Sequence, residues 1–331
     1  MRLNVVSMSG GKDSTATALL CRVLEPHDTI RYVFADTGNE HEATVEYTLD
    51  YLPRKLGVKI DSLRQDFTDW WWRKRTYIAE KYPVKLVKEG HTVREAEETI
   101  KRILAVYDKG PTGNPYLDLC IIKGRFPSRR AQFCTEWLKT KPLTEYAIDL
   151  IDEGNAVWSW QGVRGDESTS RFTRLCCPMN IPACDKSFEV VGGGLFICRP
   201  ILRWTAADTF ETMRYFGVEP NPLYKLGMGR VGCMPCVNAG KDEILEISKR
   251  FPEHIDRIEE WEAAVKLASK RGGASFFPAP ADGRGARVGD NIRKVVQWSR
   301  TSRGGKQISL LADEKPSACA SSYGLCESEA A

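Results

Sequence analysis

Residues 3–7 form a short apolar run leading into a glycine pair, and apolar side chains then recur at helical spacing over 14–24 through Ala16, Leu19, Leu20 and Val23. This predicts a strand, a glycine loop and a helix. A second buried-type strand follows at Tyr32-Val33-Phe34-Ala35, then a helix over 42–52 that Pro53 stops, then a third strand over 58–63. Strands alternating with helices predict an α/β fold, a parallel twisted sheet with helices on both faces.

Between 66 and 146 that rhythm breaks. Trp70-Trp71-Trp72-Arg73-Lys74-Arg75, a helix over 93–107 and a Gly/Pro loop at 110–115 make residues 66–130 a helical insertion. Sheet-like sequence resumes at Ala156-Val157-Trp158-Ser159-Trp160, and the runs 188–191 and 195–198 flank Gly192-Gly193-Gly194 as a hairpin. Residues 205–216 read as helix. The charge-rich periodicity of 243–270 predicts one or two exposed helices packed on the core. Residues 272–289, rich in Gly, Pro, Ala and Arg, read as a mobile segment ahead of a tail carrying Cys319 and Cys326. The chain thus divides into an α/β domain over 1–240 and a C-terminal helical extension with a partly flexible, cysteine-bearing tail over 241–331.

Composition narrows the class without naming a partner. Among 331 residues, 48 Lys plus Arg stand against 44 Asp plus Glu, so the net charge of +4 is too small to indicate a polyanionic ligand. A nucleic-acid argument must therefore be local. No apolar run approaches the roughly 18 residues of a membrane span, and the N-terminus leads directly into a motif, which predicts a cytoplasmic protein without membrane contact. In that compartment the 11 cysteines are reduced, so those at C-x-x-C spacing read as metal or redox sites.

The most informative stretch is Ser9-Gly10-Gly11-Lys12-Asp13-Ser14. A strand turning through these residues into a helix gathers backbone N–H groups and the positive helix end around one phosphate-sized volume. The glycines permit close backbone approach, Lys12 adds a point charge, and the Ser9 and Ser14 hydroxyls can donate to phosphate oxygens. Asp13 can orient Mg²⁺ or the loop itself. The adjacent glycines, and the Asp between Lys12 and Ser14, depart from the Walker spacing G-x-x-x-x-G-K-S/T.

The hexapeptide resembles the PP-loop of the adenine nucleotide alpha hydrolases, and within them the phosphoadenosine phosphosulfate (PAPS) reductase family. Members of that family resemble this chain in a D-T-G element after the second strand, here Asp36-Thr37-Gly38, and in a G-x-R-x-D-E-S stretch beginning at Gly162, with Arg171 and Arg174 beyond. The resemblance implies a Rossmann-like sheet with adenosine near Asp36, Thr37 and Gly38. It also implies that Gly162, Arg164 and Asp166 face the phosphates or a second substrate. An intact Lys12-Asp13 pair points to ATP, because PAPS reductases tend to carry a degenerate loop.

Gly232-Cys233-Met234-Pro235-Cys236 offers two thiols at a spacing that iron–sulfur clusters and zinc both use. Iron–sulfur sulfonucleotide reductases resemble this segment, and their Cys-Cys element resembles Phe133-Cys134-Thr135 with one cysteine replaced by Thr135. That resemblance implies a [4Fe-4S] cluster on Cys134, Cys233 and Cys236, with Cys326 as fourth ligand and Cys319 as its alternate. Cys176, Cys177 and Cys184 are a further option, as a completion of the set or as a separate metal site. The C-terminal E-C-G-L-H nucleophile of sulfonucleotide reductases offers a rival role for Cys326, although here the order is Gly-Leu-Cys-Glu. Cys21, Cys120 and Cys198 lie in apolar runs and read as core.

Two stretches interleave aromatics with cations, Trp70 to Tyr77 and Arg125-Phe126-Pro127-Ser128-Arg129-Arg130, a pattern that can stack bases and neutralise phosphates. Three consecutive tryptophans on one helix cannot all point inward. The family resemblance extends to the sulfurtransferase of DNA phosphorothioation, which joins an intact PP-loop to cluster cysteines. It implies Mg²⁺-assisted cleavage of ATP between the α and β phosphates, an adenylylated acceptor, and sulfur delivered from a cluster, a cysteine persulfide or a sulfur-donor protein. The alternatives are a thiol-dependent PAPS or adenylyl-sulfate reductase, and a non-catalytic nucleotide-sensing iron–sulfur subunit.

Overall fold

A computed structural model describes residues 1–176, 185–277 and 291–301. Six strands form one sheet in the order β3-β2-β1-β4-β6-β5: β1 Arg2–Met8, β2 Ile30–Asp36, β3 Ile60–Arg64, β4 Ala156–Trp160, β5 Phe188–Gly192 and β6 Leu195–Cys198. All neighbours run parallel except β5, which returns antiparallel to β6 through the glycine hairpin. The fold is therefore the expected α/β sheet.

Period-two alternation decides which side chain meets which helical layer. Val6, Met8, Tyr32 and Phe34 face the helices Lys12–Leu24 and Ala206–Tyr215, meeting Leu19, Phe210 and Met213. Val5, Val33 and Val157 face the opposite way, towards Ala147 of the helix Lys141–Asp152. Cys21, Cys120 and Cys198 are buried. Val23, expected on the apolar face of the first helix, is 61% exposed. That helix is buried continuously over 14–19, and its last turn points outward.

Pro53 does not stop the second helix. The chain runs through Glu42–Glu46, a π-helical segment Tyr47–Tyr51 and Leu52–Leu56, and ends at Gly57 with φ +63°. Proline removes one backbone donor, and the wider turn just before it lets the remaining backbone bonds re-pair.

The insertion folds into the helices Thr68–Glu80, Tyr82–Lys88, Val93–Tyr107 and Pro115–Lys123. Their apolar faces share one buried cluster with Lys241–Arg250, Pro252–Ala268 and Ile292–Ser299. Trp71 is fully buried and donates to the Tyr107 carbonyl, whereas Trp72 is 43% exposed. Helix Ile292–Ser299 is not among the expected elements, although Ile292, Val295, Val296 and Ser299 repeat at helical spacing and are all buried. Phe276 and Phe277, inside the segment expected to be mobile, are buried against the same cluster. Aromatic burial outweighs the surrounding Gly and Ala there. Residues 278–290, and the tail with Cys319 and Cys326, lie outside the described residues, as do Cys177 and Cys184. No helix among the described residues is long and apolar enough to cross a membrane.

Candidate functional site: a phosphate loop and a cysteine loop at the sheet's carboxyl edge

Strand β1 lies between β2 and β4, so the chain order reverses beside it, and ligands of open α/β sheets settle at the carboxyl ends of strands at such a point. Ser9 to Ser14 turns there into the helix Lys12–Leu24. Ser14 Oγ accepts from the Ser9 amide at 3.1 Å and donates to the Gly11 carbonyl at 3.0 Å, which closes the loop on itself. Ser9 Oγ donates to Ser14 Oγ at 3.1 Å. Gly10 has φ +71°, and a Cβ there would come within 2.5 Å of Thr48 Oγ1. Only glycine suits that position.

Two residues that sequence reasoning missed buttress the loop from the far end of the chain. Asn221 Nδ2 donates to the Gly10 carbonyl at 3.1 Å, and the Lys12 amide donates to the Tyr224 hydroxyl at 3.1 Å. Lys12 itself is only 4% exposed, its Nζ 3.6 Å from Asp13 Oδ2. Asn221-Pro222 is an ordinary helix start by sequence, so no local signal ties it to the loop.

The segment after β4 closes the other side. Arg164 is 3% exposed, donates from Nε to Asp13 Oδ1 at 2.5 Å, and pairs with Asp166. The pair is buried on the arginine side, not a surface contact. Arg171 is held below the ordinary guanidinium range chiefly by burial, and next by the neighbouring charges of Arg174, Arg230 and Arg164. Arg171, also paired to Glu167, thus shares one electrostatic neighbourhood with Arg174, Arg230, Asp13 and Arg164. Arg230 carried no sequence signal.

Gly162 packs directly on the loop: an added Cβ would stand 2.8 Å from the Asp13 carbonyl carbon and oxygen and from the Ser14 nitrogen. All three atoms are backbone and cannot swing aside. Gly162→Ala is expected to cost about 1–3 kcal/mol of unfolding free energy. Urea denaturation checks this, and a variant as stable as the parent would contradict so close an approach.

Asp36, Thr37 and Gly38 sit at the carboxyl end of β2. Asp36 accepts from the Gly38 amide at 2.9 Å and from Arg64 at 2.5 Å. Gly38 has φ +76° and packs on Asn114 and Pro115 at the start of the last insertion helix. Thr37 is 1% exposed, and its hydroxyl donates to Glu40 at 2.7 Å and stands 3.6 Å from Cys233 Sγ.

Backbone hydrogen bonds tie this loop to the C-x-x-C turn. The Met234 amide donates to the Asn39 carbonyl at 2.8 Å, and the His41 amide donates to the Gly232 carbonyl at 3.2 Å. Asn39 Nδ2 adds a bond of 3.0 Å to the Pro235 carbonyl.

Cys134, in the turn Phe133–Thr135, comes to the same place from the insertion's edge. Burial pushes the Cys233 thiol up to about 12, opposed by Lys139 and reinforced by Glu40 and Cys236. Burial likewise raises Cys134, opposed by Lys139. Lys139 is held above its ordinary range first by Cys233, then by Glu40, Cys236 and Cys134, against its own burial. This lysine, five residues after Cys134, lies in the electrostatic neighbourhood of three cysteines and a carboxylate.

The buried Tyr116 hydroxyl, which senses Cys120, Cys134, Cys233 and Cys236, has no hydrogen-bond partner among the described residues. Cys176 lies apart, against Gly165, with Arg203 and Asp185 as its charged neighbours. Behind the cysteine turn His41 stacks on His254 at 4.7 Å. With Glu42 they form the one group of three His, Cys, Asp or Glu donors found within 4.8 Å of one another among the described residues. His41 Nδ1 is already engaged there, accepting from the Ala43 amide at 3.0 Å.

The family model for the phosphoadenosine phosphosulfate reductase domain matches residues 3–239. An uncharacterized 37.8 kDa protein in the gpa 5′ region of Escherichia phage 186 is 43% identical over 337 residues, spanning 98% of this chain and 97% of that protein. The uncharacterized nin region protein ORF290 of Escherichia phage lambda is 29% identical over 169 residues, 50% of this chain and 49% of its own length. The crystal structure of PAPS reductase from Candida auris, a phosphate complex, covers 70% of this chain and 80% of that one, at 14% identity and a TM-score of 0.38. A domain match running from β1 through the cysteine turn establishes that the chain belongs to the phosphoadenosine phosphosulfate reductase family.

Proposed function

We propose that this chain binds ATP at the Ser9 to Ser14 loop and cleaves it between the α and β phosphates. The AMP moiety passes to an acceptor, which sulfur then attacks. The observation that carries this reading is the buried Lys12 within a closed loop whose Asp13 is bound by the buried Arg164. A triphosphate brings several negative charges, and fixed guanidinium groups beside the loop suit the charge that develops on departing pyrophosphate. The acceptor oxygen attacks the α phosphorus, the α–β bridging bond breaks, and pyrophosphate leaves with the electron pair. Sulfur subsequently displaces AMP from the acceptor.

Asp13 acts on the loop rather than on a metal. One of its oxygens is bound by Arg164 and the other faces Lys12, so neither is free as a ligand. Mg²⁺ travels with the phosphates and neutralises part of their charge, and Asp166, whose side chain is 42% exposed, is the carboxylate placed to meet it. Cys134, Cys233 and Cys236 fit an iron–sulfur group: three soft donors with a cation beside them and the orphaned Tyr116 hydroxyl next to them. When bound, a [4Fe-4S] cluster would supply electrons or a sulfur-binding iron there. Cys326 remains the proposed fourth ligand.

Pyrophosphate release from ATP, measured with purified chain in the presence of single-stranded DNA, tRNA or sulfate, tests the proposal. Acceptor-dependent release supports it. Selective binding of PAPS over ATP would instead favour the thiol-dependent reductase, the activity after which the matched domain is named. ATP binding without any turnover would leave a nucleotide-sensing subunit.

A further inference from the structure

The two aromatic and basic stretches of the insertion meet, in space, two cations from the end of the helix Pro252–Ala268. Together they line a cavity of about 620 Å³ remote in sequence from the phosphate loop. Five cations face it, Lys74, Lys123, Arg125, Lys270 and Arg271, and none of its described lining residues is a carboxylate. The whole chain holds 44 acidic residues against 48 basic ones, so this exclusion is local and not a result of composition. Of the five, Lys270 pairs with Glu89, which does not line the cavity. We propose that this cavity binds the phosphate backbone of a single-stranded nucleic acid.

Rings stand beside several of the charges. Lys74 Nζ stands 5.0 Å over the ring of Tyr77, which is 37% exposed, and Tyr77 lies 6.1 Å from Tyr82 in the cavity wall. Lys85 stands 6.0 Å over Tyr82. Lys123 reaches from the cavity to the rings of Trp70 at 4.8 Å and Trp137 at 5.1 Å, and Trp137 follows Cys134 by one helical turn. Burial, with Lys85 and Lys123 nearby, lowers the Lys74 ammonium below its ordinary range, the sign of cations held together without offsetting acid. Lysines on long stems beside exposed or half-buried rings suit a repeating phosphate chain whose bases can stack. A compact anion is better held by a convergent, bidentate guanidinium.

The inference gives the acceptor of the proposed function a chemical class, and depends on that reading only for the chemistry after binding. The binding titration therefore omits ATP. A fluorescein-labelled oligothymidylate of about twelve residues is titrated with full-length protein and followed by anisotropy at low and at near-physiological salt. Arg125 and Arg271 are both exposed, so the double variant R125E/R271E is expected to keep its melting temperature and its ATP affinity. It is expected to bind the oligonucleotide at least about tenfold more weakly, with a log–log salt slope smaller by about 1.4, two phosphate contacts on a single strand. Unchanged affinity in the double variant would overturn the proposal. So would full displacement of the oligonucleotide by inorganic phosphate at constant ionic strength, which would make the cavity a small-anion site. Intact oligonucleotide binding with no pyrophosphate release would sink the enzymatic reading and leave this one standing.

Discussion

Lys12→Ala is expected to weaken ATP binding about a hundredfold, roughly 2.7 kcal/mol, the scale of a charge-assisted contact to phosphate. The ammonium sits at the first position of the loop's helix and is 4% exposed, so water cannot replace it well. Its neighbour behaves differently. Asp13→Ala removes a partner of the buried Arg164 and leaves that charge with Asp166 alone, so a stability loss of about 3 kcal/mol accompanies any loss of binding. Lys12→Ala is therefore the cleaner probe. Titration calorimetry with Mg²⁺-ATP, paired with thermal melts, separates the two effects. Wild-type ATP affinity in Lys12→Ala would remove the phosphate-loop reading.

The second large effect concerns iron. Protein purified without oxygen is expected to be brown and to carry about four irons per chain, as a thiolate-held [4Fe-4S] cluster requires. Cys233→Ser and Cys236→Ser are each expected to abolish the colour, because a hard hydroxyl replaces a soft sulfur donor. Cys134→Ser is expected to do the same, since its thiol stands in one electrostatic neighbourhood with Cys236 and Lys139. Iron analysis of Cys326→Ser then discriminates two chemistries. Loss of iron makes Cys326 the fourth ligand, whereas full iron without turnover makes it a nucleophile. A zinc-bearing, iron-free preparation would exclude the cluster.

Much of the Ser9 to Ser14 loop was legible in local sequence. Gly10 and Gly11 between a strand and a helix, with Lys12 and Asp13 following, form a contiguous strand–loop–helix turn whose shape needs no distant residue to be recognised. Arg164 and Gly162 were legible as a motif, but not their roles. That Arg164 is buried against Asp13, and that Gly162 touches the loop backbone, depends on β1 and β4 being neighbours across more than a hundred residues of intervening chain. Asn221 and Tyr224 had no signal at all, since a buttress is defined by what it touches.

Local sequence was enough for the periodicities: the α/β alternation, the hairpin at Gly192 to Gly194, the helix Val93–Tyr107 and the glycine loop between β1 and the first helix. Each rests on interactions within a few residues, where hydrophobic period and backbone conformation leave few choices. Pro53 and the stretch at Phe276 escape such reasoning because a π turn and a distant aromatic cluster override local propensity. Packing in three dimensions was needed to join Asp36-Thr37-Gly38 to the C-x-x-C turn through backbone hydrogen bonds and to stand Lys139 among the cysteines. It was needed too for the insertion and the C-terminal helices to share one core and one basic cavity. Those juxtapositions bring together side chains far apart in the chain, and they arise from how the layers bury their apolar faces against one another.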